Sequence, residues 1–242
     1  MRLALECPSS LLEEVQPHAD FDFILTHLVL QDKRYADFYK NSRRTKILDN
    51  SVNELSTPTS LDDIERASEI VTPNYIVSPD YLQNLTETKR SLEATLKKFS
   101  PAQILPVVQG SNYCECVDYA EYLKSLGFTF LAVPYDSCIG KSSLAVMSGC
   151  RDIIVGILTS QEFRVHLLGM TDLEELRRYR SNPKVISIDT GCPILHGMRG
   201  LRLGRDKLPD KKSPTMNQMP DYLPSMMPDI QYNIEYLRKL IG

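Results

Sequence analysis

Ile104-Leu105-Pro106-Val107-Val108-Gln109-Gly110, a helical stretch from Tyr113 to Leu126, Gly127, and then Phe128-Thr129-Phe130-Leu131-Ala132-Val133-Pro134-Tyr135 decide the fold. Two continuous apolar runs, of the kind that forms parallel strands covered on both faces, flank a segment of helical period. Gly127 is the residue type favoured just past a helix end. The unit reads strand–helix–strand. Working outward, similar runs occupy Leu3–Glu6, Phe21–Leu28, Thr45–Asn50, Tyr75–Asp80, Arg164–Met170 and Val185–Thr190. Helical patterns lie between them at Leu61–Val71, which Thr59-Ser60 can cap, at Leu82–Phe99, which Ser100-Pro101 stops, and at Asp172–Arg180. Met227–Ile241 forms a closing amphipathic helix, and the Pro-, Met- and base-rich stretch 191–224 reads as a long functional loop. Eight strands alternating with helices in 242 residues is the arithmetic of a (β/α)8 TIM-type barrel, a single domain over 1–242. An open doubly wound sheet shares that strand count. Its dinucleotide-binding form is disfavoured, because no Gly-x-Gly-x-x-Gly follows the first strand.

At 42% hydrophobic and 24% charged, with 11 Gly and 15 Pro, the composition excludes a disordered or collagen-like chain. The cysteines (Cys7, Cys114, Cys116, Cys138, Cys150, Cys192) show no framework spacing, so free thiols in a reducing, cytoplasmic setting are expected. Glu6 breaks the first apolar run, which argues against a signal peptide, and no apolar stretch approaches the roughly 18–20 residues of a membrane span.

Chemistry in such a barrel gathers at the C-terminal ends of the strands. Here those ends are polar: Leu48-Asp49-Asn50, Ser78-Pro79-Asp80, Val108-Gln109-Gly110, Pro134-Tyr135-Asp136, His166-Leu167-Leu168-Gly169 and Ser187-Ile188-Asp189. Any one of them is ordinary turn or cap chemistry. Successive strands ending this way point to an enzyme, because crowded carboxylates raise one another's pKa. His166 reads as a hydrogen-bonded histidine inside the barrel rather than a metal ligand.

The ordered motifs Val107–Gly110, Phe130–Val133, His166–Gly169 and Ile186–Asp189 resemble the tRNA-guanine transglycosylases. Leu48–Ser51 and Pro73–Asp80 look closest to the phage and bacterial branch that inserts 7-deazaguanine into DNA. The resemblance covers roughly residues 45–195. It implies a DNA-guanine transglycosylase, a glycosyltransferase exchanging guanine for a preQ0-like base through a covalent aspartyl intermediate. Asp189 would be the nucleophile and Asp49 the proton shuttle. Asp80 and Gln109 would read the base edge, with Gly110, Ala132, Val133, Leu168 and Gly169 around it. A tRNA-acting enzyme and a non-catalytic barrel subunit are the alternatives. A glycoside hydrolase is disfavoured by the absence of tryptophan. The family's zinc motif is not matched: only Cys192 and His196 lie downstream of Asp189, and Cys114-Glu115-Cys116 precedes it, so no zinc and no other cofactor is expected. Oligomeric state is left open, and a phage-encoded chain would act in the host cytoplasm.

The net charge of -3 conceals two basic stretches, each +4. Lys33, Arg34, Arg43 and Arg44 lie in the first, and Arg199, Arg202 and Arg205 in the second. If both rise on the catalytic rim they form a phosphate track. Tyr35, Phe38 and Tyr39 would then stack on bases or pack in the core.

Overall fold

Alternation along the strands sorts the apolar side chains into two populations. In the computed structural model, which describes residues 1–135, 150–170, 173–207 and 223–242, Ala4, Phe23, Ile47, Val77, Leu105, Val107 and Ala132 meet in one cluster. Their neighbours of opposite parity, among them Leu3, Ile24, Leu48, Ile76, Leu131, Val133 and Leu167, belong to a second and larger core that includes helix residues. Strands with both faces covered explain why these runs are apolar throughout rather than alternating.

The strands are β1 (Arg2–Leu5), β2 (Asp22–Leu25), β3 (Lys46–Asp49), β4 (Tyr75–Val77), β5 (Ile104–Leu105), β6 (Phe130–Pro134), β7 (Arg164–Leu168) and β8 (Val185–Thr190). All pairings are parallel, in two four-stranded sheets ordered β1-β8-β7-β6 and β2-β3-β4-β5. The helices among the described residues are α1 (Leu12–Val15), α2 (Thr26–Gln31), α3 (Lys33–Asn41), α4 (Val52–Leu55), α5 (Leu61–Val71), α6 (Leu85–Lys98), α7 (Tyr113–Ser125), α8 (Cys150–Ser160), α9 (Leu173–Tyr179), α10 (Cys192–Gly197) and α11 (Met227–Ile241). This is an α/β fold with parallel sheets, built in the manner of a TIM-type barrel. Among the described residues the ladder does not close into one ring. A bridge between Val107 and Ala132 joins the sheets on one side. On the other, the Leu3 N–H donates to Asp20 Oδ2 (2.7 Å) and Asp20 in turn receives both arms of Arg238 from α11 (2.8 and 3.0 Å).

Several expected boundaries shift for physical reasons. The run from Phe21 to Leu28 leaves the sheet at Leu25, and Thr26 starts α2 with its hydroxyl on the Asp49 carbonyl (2.5 Å). Pro106 carries no N–H, so β5 is cut short, although the Ala132 N–H still donates to the Pro106 carbonyl at 2.9 Å. The helix expected from Leu82 begins instead at Leu85, where the Asn84 side chain accepts the Glu87 N–H. Residues 191–224 are not wholly loop: α10 follows β8 directly, while 208–222 lie outside the described residues. Asp136 and Asp172 also lie outside them. No helix among the described residues is long and apolar enough to cross a membrane.

Candidate acid–base site at the strand ends

The parity that points Ala4 and Ile47 between the sheets carries two residues further to Glu6 and Asp49, and register places Ala4 beside Asp189. Asp189 is buried and held from three directions. The Gly169 N–H donates to its two oxygens at 3.2 and 3.1 Å. His166 Nε2 stands 3.0 Å from Oδ1, while Nδ1 lies 2.9 Å from the Ser187 hydroxyl. The Glu6 carboxyl hydrogen-bonds it from the end of β1. Phe21 and Phe23 contact the imidazole with ring centroids 5.9 and 5.8 Å away, so His166 is a buried, hydrogen-bonded histidine.

Asp49 ends β3. Ser51, in a left-handed conformation (φ 61), turns its N–H back onto Asp49 Oδ2 at 2.6 Å. Burial drives the Asp49 carboxyl well above the usual carboxylate range; Glu54, Asp189 and Asp80 add repulsion, and the Ser51 N–H opposes it. Burial likewise raises Glu6, with Asp189, Glu54 and Asp49 contributing. Two carboxyls pushed toward the neutral form therefore stand beside Asp189.

Beside this group runs a string of amides. Asn50 Nδ2 donates to the Ser78 carbonyl (2.9 Å) and to Asp80 Oδ1 (2.7 Å), and Gln109 Nε2 donates to Asp80 Oδ2 (2.6 Å). The Gln83 N–H donates to Gln109 Oε1 at 3.2 Å. Asp80 is raised by burial, and the two amides pull it back down.

The structure thus brings Asp49, Asp80, Gln109 and Asp189 to one end of the sheets but engages Asp80 and Gln109 with each other. Ala132 lines the space between the sheets, with half-buried Leu168 packed against the same cluster, whereas Val133 belongs to the outer core. A Cβ on Gly110 would meet Cys116 Sγ at 2.9 Å, so packing against α7 accounts for that glycine. Glu6 was missed. Its signal was present, since it ends the first apolar run as Asp49 and Asp189 end theirs.

The basic rim does not form as expected. Arg44 turns to Asp22 (2.5 Å), to the Ala19 carbonyl (3.1 Å) and to the Gln16 carbonyl. Asp22 starts β2, so this cluster sits at the opposite end of the sheets from Asp49 and Asp189. Arg43 is exposed next to it. Lys33 pairs with Asp37 within α3, and Arg34 is exposed on the same helix. Arg202 pairs with Asp229 of α11 (2.6 Å); Arg202 and Arg205 lie 5.2 and 5.1 Å from the Tyr232 ring centroid, and Arg199 is exposed. Tyr35 and Tyr39 are buried, with the Leu25 N–H donating to Tyr35 Oη (3.1 Å), so both are core residues.

No protein family and no curated protein matches the sequence. Among solved structures, the chain is similar to protein CitE from Mycobacterium tuberculosis in complex with magnesium and acetate. The TM-score is 0.50 at 10% identity over 78% of this chain and 85% of that one. The citrate lyase beta subunit from M. tuberculosis, complexed with oxaloacetate and magnesium, gives 0.49 at 11% over 78% and 91%. Likeness at this identity carries the fold. The likeness to CitE overturns the resemblance to guanine transglycosylases, and with it the glycosyltransferase chemistry, the 7-deazaguanine base and the DNA or tRNA partner. The motifs behind that resemblance are polar strand ends, which parallel barrels of unrelated activity share.

Proposed function

We propose that residues 1–242 form one barrel-type domain and that its strand-end face is the centre of an acid–base enzyme of the lyase or aldolase kind. Its reaction would break or make a carbon–carbon bond beside a carbonyl in a small hydroxycarbonyl substrate. One observation carries the proposal: two buried carboxyls, Asp49 and Glu6, which burial pushes toward the neutral form, stand beside Asp189, which is fixed by the Gly169 N–H. A neutral carboxylic acid in an apolar site can donate a hydrogen bond to a developing oxyanion.

In the cleavage direction Asp189 accepts the proton of the substrate hydroxyl, and the carbon–carbon electron pair moves toward the carbonyl. Its oxygen gains negative charge against the protonated carboxyls of Asp49 and Glu6. The enolate carbon then takes that hydroxyl proton from Asp189, which restores the base. His166 orients Asp189, and Asn50, Asp80 and Gln109 keep the neighbouring strand ends rigid.

The CitE neighbour holds magnesium, an ion that needs several oxygen ligands free to coordinate it. The residues here do not fit it as arranged. Both oxygens of Asp80 accept amide protons, Asp189 is engaged by Gly169, His166 and Glu6, and no cluster of three or more His, Cys, Asp or Glu among the described residues is arranged to hold a metal. Of the cysteines and histidines weighed for zinc, Cys192 and His196 are buried on α10, and Cys114 and Cys116 lie on α7. No step is derived through a metal.

The test is a panel of small ketoses, hydroxyketones and hydroxyamides incubated in D2O and followed by proton NMR. Deuterium should enter the carbon beside the carbonyl, or cleavage products should appear, and Asp189→Asn should abolish either. Turnover unchanged in Asp189→Asn, or no turnover of any panel member by the wild type, would overturn the proposal.

A further inference from the structure

Behind Gly169 lies an ion pair that the chemistry above does not use. Arg151, in the first turn of α8, and Glu175 of α9 have side chains only 5% and 4% exposed. Arg151 Nε lies 3.3 Å from Glu175 Oε1, and Nη1 donates to the Gly169 carbonyl at 2.9 Å. Gly169 adopts φ 67, and a Cβ there would meet nothing within 4 Å, so backbone conformation rather than crowding selects glycine. That conformation lets one residue face two ways: its carbonyl meets Arg151 while its N–H meets Asp189.

Burying a guanidinium with a carboxylate loses as much hydration energy as the attraction returns, and apolar replacement of such pairs is often neutral for stability. Stability therefore does not explain the pair, whereas orientation does. A planar guanidinium with several donors can grip a carbonyl and a carboxylate at once, which a lysine ammonium does less well. The α8–α9 contact has its own fasteners. Tyr179 Oη donates to Asp152, and Arg178 Nε lies 2.8 Å from Asp152 Oδ2. The helices thus stay paired without Arg151.

We propose that Arg151, seated by Glu175, is a positioning residue that holds the Gly169 carbonyl and so keeps the Gly169 N–H on the Asp189 carboxylate. This rests on Asp189 being the base in the reading above. The other titratable groups facing Asp189 are Glu6 from β1, Asp49 from β3 and His166 from β7.

The test follows the Gly169 amide resonance of the 15N-labelled full chain across pH in the wild type, in Arg151→Met/Glu175→Leu and in Arg151→Lys. Thermal melting and, where a substrate has been found, kcat and KM are measured alongside. In the wild type the amide's pH response reads its hydrogen bond to the carboxyl cluster at Asp189, and Asp189→Asn removes that response. The double variant should melt as a folded protein, lose the pH response at Gly169, and lower kcat by about 10²-fold with KM unchanged, as expected for a misplaced catalytic group. Arg151→Lys keeps the charge beside Glu175 and should fold even where the double variant does not; its Gly169 amide should shift in the same sense. An unaltered Gly169 response in a folded variant would overturn the proposal. Because the amide readout needs no substrate, absence of turnover by the wild type would sink the lyase reading while leaving this one to be decided.

Discussion

Replacing Asp49 by Asn should make the protein more stable at neutral pH and inactive. The side chain is buried, and asparagine keeps a carbonyl oxygen where Asp49 Oδ2 accepts the Ser51 N–H at 2.6 Å, so the local turn survives. What disappears is an acid whose ionisation is opposed by burial and by Glu54, Asp189 and Asp80. The sign follows from linkage. A native carboxyl with a raised pKa holds its proton more tightly than the unfolded chain, whose value is about 3.9. Below that value both states are protonated and the group costs nothing. As pH rises, the unfolded state ionises first, so the wild type loses stability until the native group has also ionised. Relief of this kind amounts to about 0.5–2 kcal/mol for single substitutions that relax a functional site. At roughly 2–4 °C per kcal/mol for a chain of this size, Asp49→Asn should melt about 1–8 °C higher at neutral pH. The gain should shrink toward zero at about pH 4. Calorimetric melting of both proteins across that range is the assay. A variant less stable than wild type at neutral pH, or a gain that does not diminish as pH falls, would refute the reasoning.

Gly197→Ala should destabilise the α10–α11 contact, because a Cβ there would sit 2.6 Å from Ile230 Cα and N. Overpacking against backbone costs about 1–3 kcal/mol, read as a lower urea midpoint at unchanged m-value. Arg44→Ala should cost about 3 kcal/mol by leaving the buried Asp22 carboxyl without its cation, and its urea midpoint should fall accordingly. Glu6→Gln replaces a carboxyl that hydrogen-bonds Asp189 with an amide that cannot give up its proton. It should lower kcat by about 10²-fold and change the shape of the pH–rate profile, with kinetics on the substrate found in the panel as the check.

Much of the fold was legible because parallel strands buried on both faces leave continuous apolar runs, and those runs were found in order from Leu3 to Thr190. Boundaries were lost where backbone chemistry overrides hydropathy. Pro106 cannot donate to a ladder, and apolar Val29 and Leu30 continue past β2 into a helix without changing composition. At the site, period-2 parity correctly sends Asp49 and Asp189 to one place, since Ile47 and Ser187 precede them by two. The partners of those acids were not legible. That Gln109 is spent on Asp80, or that Arg44 reaches back to Asp22, depends on three-dimensional reach between residues 22 to 29 positions apart. The basic stretches misled for a related reason. A segment that leaves one end of the sheets in α2 arrives at the other by Lys46, so its charge does not stay on one face.

The junction at Asp20 has a consequence for how the chain reaches this state. Asp20 is gripped by Arg238, 218 positions later, and among the described residues β1 has its ladder partner in β8. On a ribosome the first strand therefore emerges long before anything exists to pair with it. β2 to β5 can assemble as synthesis proceeds, while the opening residues wait, their apolar edge open to chaperones or to the wrong neighbour. Completion of the fold becomes a late event tied to release of the last helix. Loss of the Arg238 contact should therefore slow renaturation more than its two hydrogen bonds would suggest.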